Sequence, residues 1–220
     1  MPTSLITGAN RGIGLEISRR LAARGETVIA CARTDPPSAP GLEPYRLDVT
    51  DAEALEGLTV ALEGRALDLL VCNAGMLIGR GGVDDASYTQ EAFAEVLAVN
   101  VTGVFMTIRA CLPALRRAKG RIAVISSQMG SSARAKGAAY LYRASKAAAT
   151  NLAVSLSKEL GAEGIAVGAY HPGWVRTGMG GSGADISVEE SAEGLIARFD
   201  ELTPETAGCF RFYSGETIPF

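Results

Sequence analysis

The amino-acid sequence predicts an α/β fold: a single domain over residues 1–220, built on a doubly wound, seven-stranded, mostly parallel sheet with helices on both faces. Three observations lead there. Short apolar runs alternate with helix-like stretches along the whole chain, the pattern of strand–helix–strand units. Most of those runs are continuously apolar rather than alternating, as in strands covered on both faces. A glycine-rich turn, Thr7-Gly8-Ala9-Asn10-Arg11-Gly12-Ile13-Gly14, joins the first run to the first helix. At 220 residues, one large core is the default.

The strand candidates are Thr3–Thr7, Thr27–Cys31, Tyr45–Leu47, Leu67–Cys72, Arg121–Ser126, Ile165–Tyr170 and Cys209–Tyr213. Helices fill the gaps. Ile13–Ala23 follows the glycine turn, and Ala52–Leu62 follows Asp51, whose carboxylate suits an N-cap. Glu91–Ala118 carries Phe93, Leu97, Val101, Val104, Ile108 and Leu112 at helical spacing and ends in basic residues before Gly120. Ala138–Leu160 repeats Ala144, Ala148, Leu152, Leu156 and Leu160 every four residues, and small residues on that face allow close helix packing. Val188–Leu202 is the last helix. The Pro36–Gly41 cluster reads as a turn rather than a linker. Gly178–Gly183 is expected to be mobile, within a short substrate loop near 178–186.

Composition removes several function classes. The chain is 47% hydrophobic and 20% charged with a net charge of −3, and it has no lysine–arginine run, so nucleic acid is not an expected partner. No apolar run approaches the roughly 18 residues of a membrane helix, so no membrane is expected. The first strand begins at Thr3, leaving no room for a signal peptide, and a cytoplasmic protein is expected. Cys31, Cys72, Cys111 and Cys209 form no C-x-x-C pair and read as free buried thiols. With His171 the only histidine, no metal site is expected.

The chemistry concentrates in Tyr142-Arg143-Ala144-Ser145-Lys146 and the preceding pair Ser126-Ser127. A tyrosine and a lysine four apart on a helix share a face. A phenol, with a reference pKa of about 10, is a poor acid or base at neutral pH, and a nearby ammonium favours its ionised form. A serine hydroxyl can hydrogen-bond the substrate oxygen with which the tyrosine exchanges its proton. Tyr140 has only Ala144 one turn on, so Tyr142 is the acid/base candidate. In the glycine turn, Gly8 permits the tight bend, Gly12 lets the backbone approach a pyrophosphate, and Gly14 lets helix and strand pack closely. Asn100 is a polar residue on the apolar face of a long helix, suited to a structural hydrogen bond or to a site role.

From residue 3 to the C-terminus the chain resembles the short-chain dehydrogenase/reductase family. The resemblance rests on Thr7-to-Gly14, Asp48-Val49, Cys72-Asn73-Ala74-Gly75, Asn100, Ser127, Tyr142-to-Lys146, and Pro172-Gly173 with Thr177. Ser126-to-Ser131, His171-to-Val175 and the closing Tyr213-to-Phe220 are similar to the C-factor and Sniffer-type carbonyl reductase branch. The resemblance implies a Rossmann-type domain and an NADP(H)-dependent carbonyl reductase or alcohol dehydrogenase. It implies that Tyr142 exchanges the proton, Ser127 orients the oxygen, Lys146 holds the ribose and lowers the tyrosine pKa, and Asn100 completes a proton relay through main-chain and water contacts. Ser126 remains open as a replacement for Ser127 if the fifth strand ends one residue early. On the cofactor side it implies Gly8, Asn10, Arg11, Gly12, Ile13 and Gly14 in the turn. Asp48 would take the adenine amino group and Val49 its ring. Asn73, Ala74 and Gly75 would lie on the ribose, and Pro172, Gly173, Val175 and Thr177 around the nicotinamide carboxamide. Cys72 stands where the family usually has asparagine, and Gly178 where the branch usually has an acid.

Cofactor choice follows from the end of the second strand. An NAD-selective site places a carboxylate there for the ribose 2′-hydroxyl; here stand Ala32 and Arg33, with Arg11 in the turn, which favours NADP(H). The expected partner is a small carbonyl or alcohol substrate, selected by the shape of Gln128, Met129, Leu141, Trp174 and Met179. A homodimer, or a tetramer containing it, is expected from the surplus apolar faces of the two long helices. The alternative is a C-factor-like signalling or cofactor-sensing protein with little turnover. A sugar-nucleotide epimerase would bring a larger substrate domain than this length allows.

Overall fold

The computed structural model describes residues Met1–Phe220. Its strands are β1 (Thr3–Thr7), β2 (Thr27–Ala32), β3 (Leu42–Arg46), β4 (Leu69–Cys72), β5 (Arg121–Ile125), β6 (Ala166–His171) and β7 (Phe210–Phe212). The helices are α1 (Gly12–Ala23), α2 (Ala52–Ala61), α3 (Gln90–Leu97), α4 (Gly103–Ala118), α5 (Tyr140–Leu160) and α6 (Val188–Asp200). The seven strands form one sheet in the order β3-β2-β1-β4-β5-β6-β7, and every pairing is parallel. The chain starts mid-sheet and winds out one way from β1 and then the other way from β4. The strand order therefore reverses between β1 and β4, the place where such folds open a crevice at the carboxyl ends of the strands.

Successive residues of each strand feed opposite layers, as the pleat requires. Leu5, Ile29, Leu70 and Val124 pack with Leu58, Ile108 and Ala153 of α2, α4 and α5. Their neighbours Ile6, Val28, Val71 and Ala123 pack with Ile17 and Leu21 of α1 and Leu195 and Phe199 of α6. Strands buried on both sides have no polar face to alternate, which is why they read as unbroken apolar runs.

The exceptions have physical reasons. β3 begins at Leu42, three residues before the expected Tyr45, and its Glu43 and Pro44 are exposed. It is an edge strand, so it carries no apolar run to read, and an edge is where proline is tolerated. The long helix Gln90–Ala118 is interrupted by a π-helical turn at Ala98–Thr102, centred on Asn100. That same helix has an 18-residue window of mean hydropathy 1.6, so by length and composition alone it could cross a membrane. This corrects the expectation that no run reaches that length; its Ala/Val/Leu content reflects packing on the sheet through Val104, Ile108, Cys111 and Leu115. α5 begins at Tyr140 rather than Ala138, because Ala138 and Ala139 take left-handed backbone at φ 71° and 51°. Its stripe Ala144, Ala148, Leu152 and Leu156 is exposed or half-buried; the face turned inward is Leu141, Ser145, Ala149 and Ala153.

Candidate active site

α5 presents Tyr142 and Lys146 one turn apart, both buried. The Lys146 Nζ lies 5.6 Å from the centre of the Tyr142 ring and donates to the Ile125 carbonyl at 2.8 Å, at the end of β5. Two residues on, Ser127 is extended; its hydroxyl accepts from the Met129 N–H at 3.1 Å and acts on the Tyr142 phenol, favouring its ionised form. Ser126 points elsewhere, its hydroxyl engaged by the Lys146 carbonyl at 3.1 Å and the Thr150 hydroxyl at 2.6 Å. β5 does end one residue earlier than expected, yet the Ser126 N–H still bonds the Tyr170 carbonyl at 2.8 Å, so the register continues, and the serine that acts on the Tyr142 phenol is Ser127. Tyr140 lies outside, its ring 43% exposed and stacked edge-on against Tyr88.

Burial pushes the Tyr142 phenol up to about 12, partly offset by the Ser127 hydrogen bond and the Arg80 charge. Burial also brings the Lys146 ammonium down to about 8. The expectation that Lys146 lowers the tyrosine is therefore corrected for the protein without cofactor: desolvation of the phenolate outweighs the nearby cations, and the cation acting on Tyr142 is Arg80. At neutral pH the pair is a protonated phenol beside an ammonium.

Asn100 is fully buried and spends its amide on positioning. Its Oδ1 accepts from the Met76 N–H at 2.9 Å, while its Nδ2 donates to the Met76 carbonyl at 2.9 Å and to the Ser145 hydroxyl at 3.0 Å. The Ser145 hydroxyl in turn donates to the Tyr142 carbonyl at 2.8 Å. The π-helical turn thus ties the chain after β4 to the turn of α5 that carries Tyr142. A Cβ added to Gly75 would lie 3.3 Å from Asn100 Oδ1 and 3.5 Å from Lys146 Nζ, so glycine keeps this corner open.

The cofactor side gathers at the crevice between β1 and β4. Gly8 sits at φ 65°, where a Cβ would approach the Ala74 Cα at 3.0 Å; at Gly14 a Cβ would collide with the Gly8 carbonyl and Asn73. The Asn73 amide bonds the Thr7 and Gly8 carbonyls at 2.9 and 3.2 Å, and the Thr7 hydroxyl accepts from Asn73 and Ala74 N–H, both at 3.0 Å. α1 starts at Gly12 with no side-chain cap and no acid in its first turn, so its N–H groups, Ile13 included, are open to an anion. Asn10 is committed to the Thr34 carbonyl at 3.1 Å, fastening the turn to the exit of β2. There Ala32 is buried while Arg33 and Arg11 are exposed.

Asp48 accepts from the Thr50 N–H and hydroxyl at 2.9 and 2.7 Å. Burial alone would raise its carboxyl; those bonds and the Arg33 charge hold it below the usual range. Val49 is buried against Gly103, where a Cβ would stand 2.8 Å from the Val49 Cγ2. Beyond β6, the Pro172 carbonyl takes the Ser191 hydroxyl at 2.6 Å, Gly173 is at φ 88°, and Val175 bridges to Ile186. Thr177 packs over Gly12, and its hydroxyl bonds the Val175 carbonyl at 3.3 Å and the Gly180 N–H at 3.0 Å. Two side chains reach the glycine-rich stretch: Trp174 Nε1 donates to the Gly180 carbonyl at 2.9 Å and Arg80 to the Met179 carbonyl. His171 is buried and neutral, brought down to about 4 by burial and by the Arg134 and Lys146 charges, with its ring 5.3 Å from Phe212.

Sequence reasoning missed Thr7, Met76, Ser145 and Arg80. Ser145, three residues after Tyr142 on the same helix, was the legible one; Met76 acts through its peptide, which no side chain announces.

The cradle fits a dinucleotide: open helix N–H groups, glycines where any Cβ would intrude, and a crevice at the strand reversal. Comparisons with known proteins agree. The family model for short chain dehydrogenase matches residues 2–185. The 1-hydroxy-2-glutathionyl-2-methyl-3-butene dehydrogenase of Rhodococcus sp. (strain AD45) is 35% identical, with 98% of each chain covered. The C-signal of Myxococcus xanthus is 37% identical over 70% of this chain and 93% of its own. Among solved structures, an NADPH-bound carbonyl reductase from chicken fatty liver superposes with a TM-score of 0.90 at 31% identity, covering 100% of this chain and 99% of that one. The carbonyl reductase Sniffer of D. melanogaster gives 0.91 at 26% identity with both chains fully covered. The chain belongs to the short-chain dehydrogenase family of oxidoreductases.

Proposed function

We propose that the protein is an NADP(H)-dependent carbonyl reductase or alcohol dehydrogenase. The observation that carries this is the convergence of Tyr142, Ser127 and Lys146 beside the crevice at the strand reversal. Bound NADPH would supply a hydride to the carbonyl carbon, or NADP⁺ accept one from the alcohol. Tyr142 gives its proton to the substrate oxygen, and Ser127 donates a hydrogen bond to the same oxygen. Lys146, charged below about pH 8, stabilises the tyrosinate left behind and faces the ribose. Asn100 acts as a positioning residue for Tyr142 through Ser145.

Preference for NADP(H) rests on exposed Arg33 and Arg11 and the absence of an acid at Ala32, and on the NADPH held by the chicken relative. Assembly as a homodimer, or a tetramer containing it, is supported by the exposed Phe93 and Leu97 on α3 and the uncovered stripe of α5; a monomer by light scattering at micromolar concentration would refute it. The functional test is a panel of aldehydes, ketones and quinones assayed with NADPH, in which oxidation of the cofactor by at least one carbonyl class is expected. Likeness to C-signal favours a second reading, a signalling protein with little turnover. Silence across the whole panel, with NADPH still bound, would favour it.

A further inference from the structure

The rim of the site facing substrate carries cations without carboxylate partners. The segment from Gln128 to Arg143 holds Arg134, Lys136 and Arg143 and no acidic residue, in a chain whose net charge is −3. Arg80 stands opposite, on the loop after β4. None of these four enters an ion pair of the molecule. Arg134 and Arg143 are engaged by neutral groups: Arg134 by the Gln128 Oε1 at 3.0 Å, Arg143 by the Ala138 and Met129 carbonyls at 3.1 and 3.3 Å. Arg80 is exposed and meets only the Met179 carbonyl, across the mouth.

The Arg80 loop is placed with care. The Gly81 carbonyl accepts from the Ala139 N–H at 3.1 Å and from the Tyr88 hydroxyl at 2.9 Å. Ala139 is one of the two left-handed alanines before α5, a backbone region that residues with a Cβ rarely occupy. In this loop Asp85 binds the Arg80 and Gly81 N–H groups at 3.2 and 2.8 Å and the Ser87 hydroxyl at 2.6 Å, so it shapes the loop, and neither it nor Asp84 pairs with the guanidinium. Strained backbone thus fastens the loop that carries Arg80 to the start of the helix that carries Tyr142, and an unpaired cation held there points to a binding role.

We infer that Arg80 is a specificity residue that captures a carboxylate on the substrate, exchanging its bond to the Met179 carbonyl for a charge-assisted one. The preferred substrates are then carbonyl compounds bearing a carboxylate at a distance from the reacting carbon. This inference rests on the oxidoreductase reading above and deepens it. The planar fork of arginine suits a carboxylate, and exposure limits the gain to about fivefold.

The test compares 4-carboxybenzaldehyde with its methyl ester, using NADPH and either the wild-type protein or Arg80→Gln. The wild type should favour the acid about fivefold in kcat/KM, chiefly through KM, with salt eroding the preference. In Arg80→Gln the acid-to-ester ratio should fall to about one. A wild-type ratio of one or less, or a ratio kept in Arg80→Gln, overturns the inference. Calorimetric binding of 4-(hydroxymethyl)benzoate and of its amide to the NADPH complex, which can neither reduce an alcohol nor take its hydride, makes the same comparison without turnover. Should no carbonyl be reduced, the oxidoreductase reading fails, and binding decides this one: a carboxylate preference lost in Arg80→Gln supports it, and equal affinities in the wild type overturn it.

Discussion

Replacing Asn100 by alanine should cost stability before it costs chemistry. The side chain is fully buried and makes three hydrogen bonds, two to the Met76 peptide and one to Ser145. Ser145 keeps a partner in the Tyr142 carbonyl, so the groups orphaned by the substitution are the Met76 N–H and carbonyl. Leaving a buried polar group unpaired costs roughly 1–3 kcal/mol. Met76 is half-buried and can recover part of that from water, so about 1 kcal/mol for each of its two groups is the working figure. A small cavity term brings the expected loss to about 2–3 kcal/mol. For a chain of this size that corresponds to a Tm lower by roughly 5–10 °C. Urea unfolding of the cofactor-free protein, with an unchanged m-value, measures the loss directly. A loss below about 0.5 kcal/mol would show that the Met76 clamp is not held by Asn100 and refute the reasoning. Turnover should fall as well, because Gly75 beside Lys146 and the turn carrying Tyr142 are both tied through this amide.

Other perturbations test other parts of the site. Tyr142→Phe should lower kcat by the roughly 10²–10⁴-fold typical of losing a general acid, with NADPH affinity nearly intact; retention of more than about a tenth of the activity would assign the proton to another group. The ratio of kcat/KM for NADPH over NADH on one substrate should be about a hundred, from two exposed charge-assisted contacts at the low end of their range, and Ala32→Asp with Arg33→Ser should move it toward NADH. Equal use of the two cofactors would refute the assignment of Arg33 and Arg11. His171 supplies the pH dependence: folding holds it near 4 while the unfolded chain protonates near 6.5, so the unfolded state takes up the proton first and stability falls as pH drops from about 6.5 toward about 4. The gap is worth on the order of 3 kcal/mol at full effect, and a stability–pH profile for His171→Gln as steep as that of the wild type would show the residue plays no part.

The fold was legible where burial is two-sided. β1, β2, β4, β5 and β6 announce themselves because both faces pack against helices, and Leu5 and Ile6 enter opposite layers as consecutive residues. β3 was misplaced because an edge strand needs no apolar run. The start of α5 was misread because alanine is a strong helix former, and only tertiary contacts hold Ala138 and Ala139 out of the helix: the Arg143 guanidinium on the Ala138 carbonyl and the Gly81 carbonyl on the Ala139 N–H. The π-helical turn was hidden for a similar reason. Nothing in Ala98-Val99-Asn100-Val101-Thr102 forbids an ordinary helix; the extra residue is accommodated because it brings Asn100 to Met76 and Ser145.

In the site, positions were legible and electrostatics were not. Spacing alone sets Tyr142 and Lys146 on one face, and the structure has them there. Spacing cannot say how much water each loses. The tyrosine was expected to be lowered by the lysine, but two groups desolvated together move toward their neutral forms, the phenol up to about 12 and the ammonium down to about 8. That arrangement suits reduction better than a permanently ionised tyrosine would. The phenol holds its proton until a substrate oxygen gains charge, and the ammonium 5.6 Å from the ring then stabilises what remains. Lys146 keeps its charge below about pH 8, so carbonyl reduction should hold its rate in neutral solution and decline as pH rises past about 8. Replacing Lys146 by methionine should remove that upper limb along with most of the rate. A reduction profile that stays flat to pH 10 in the wild type would mean that the lysine does not support the proton transfer.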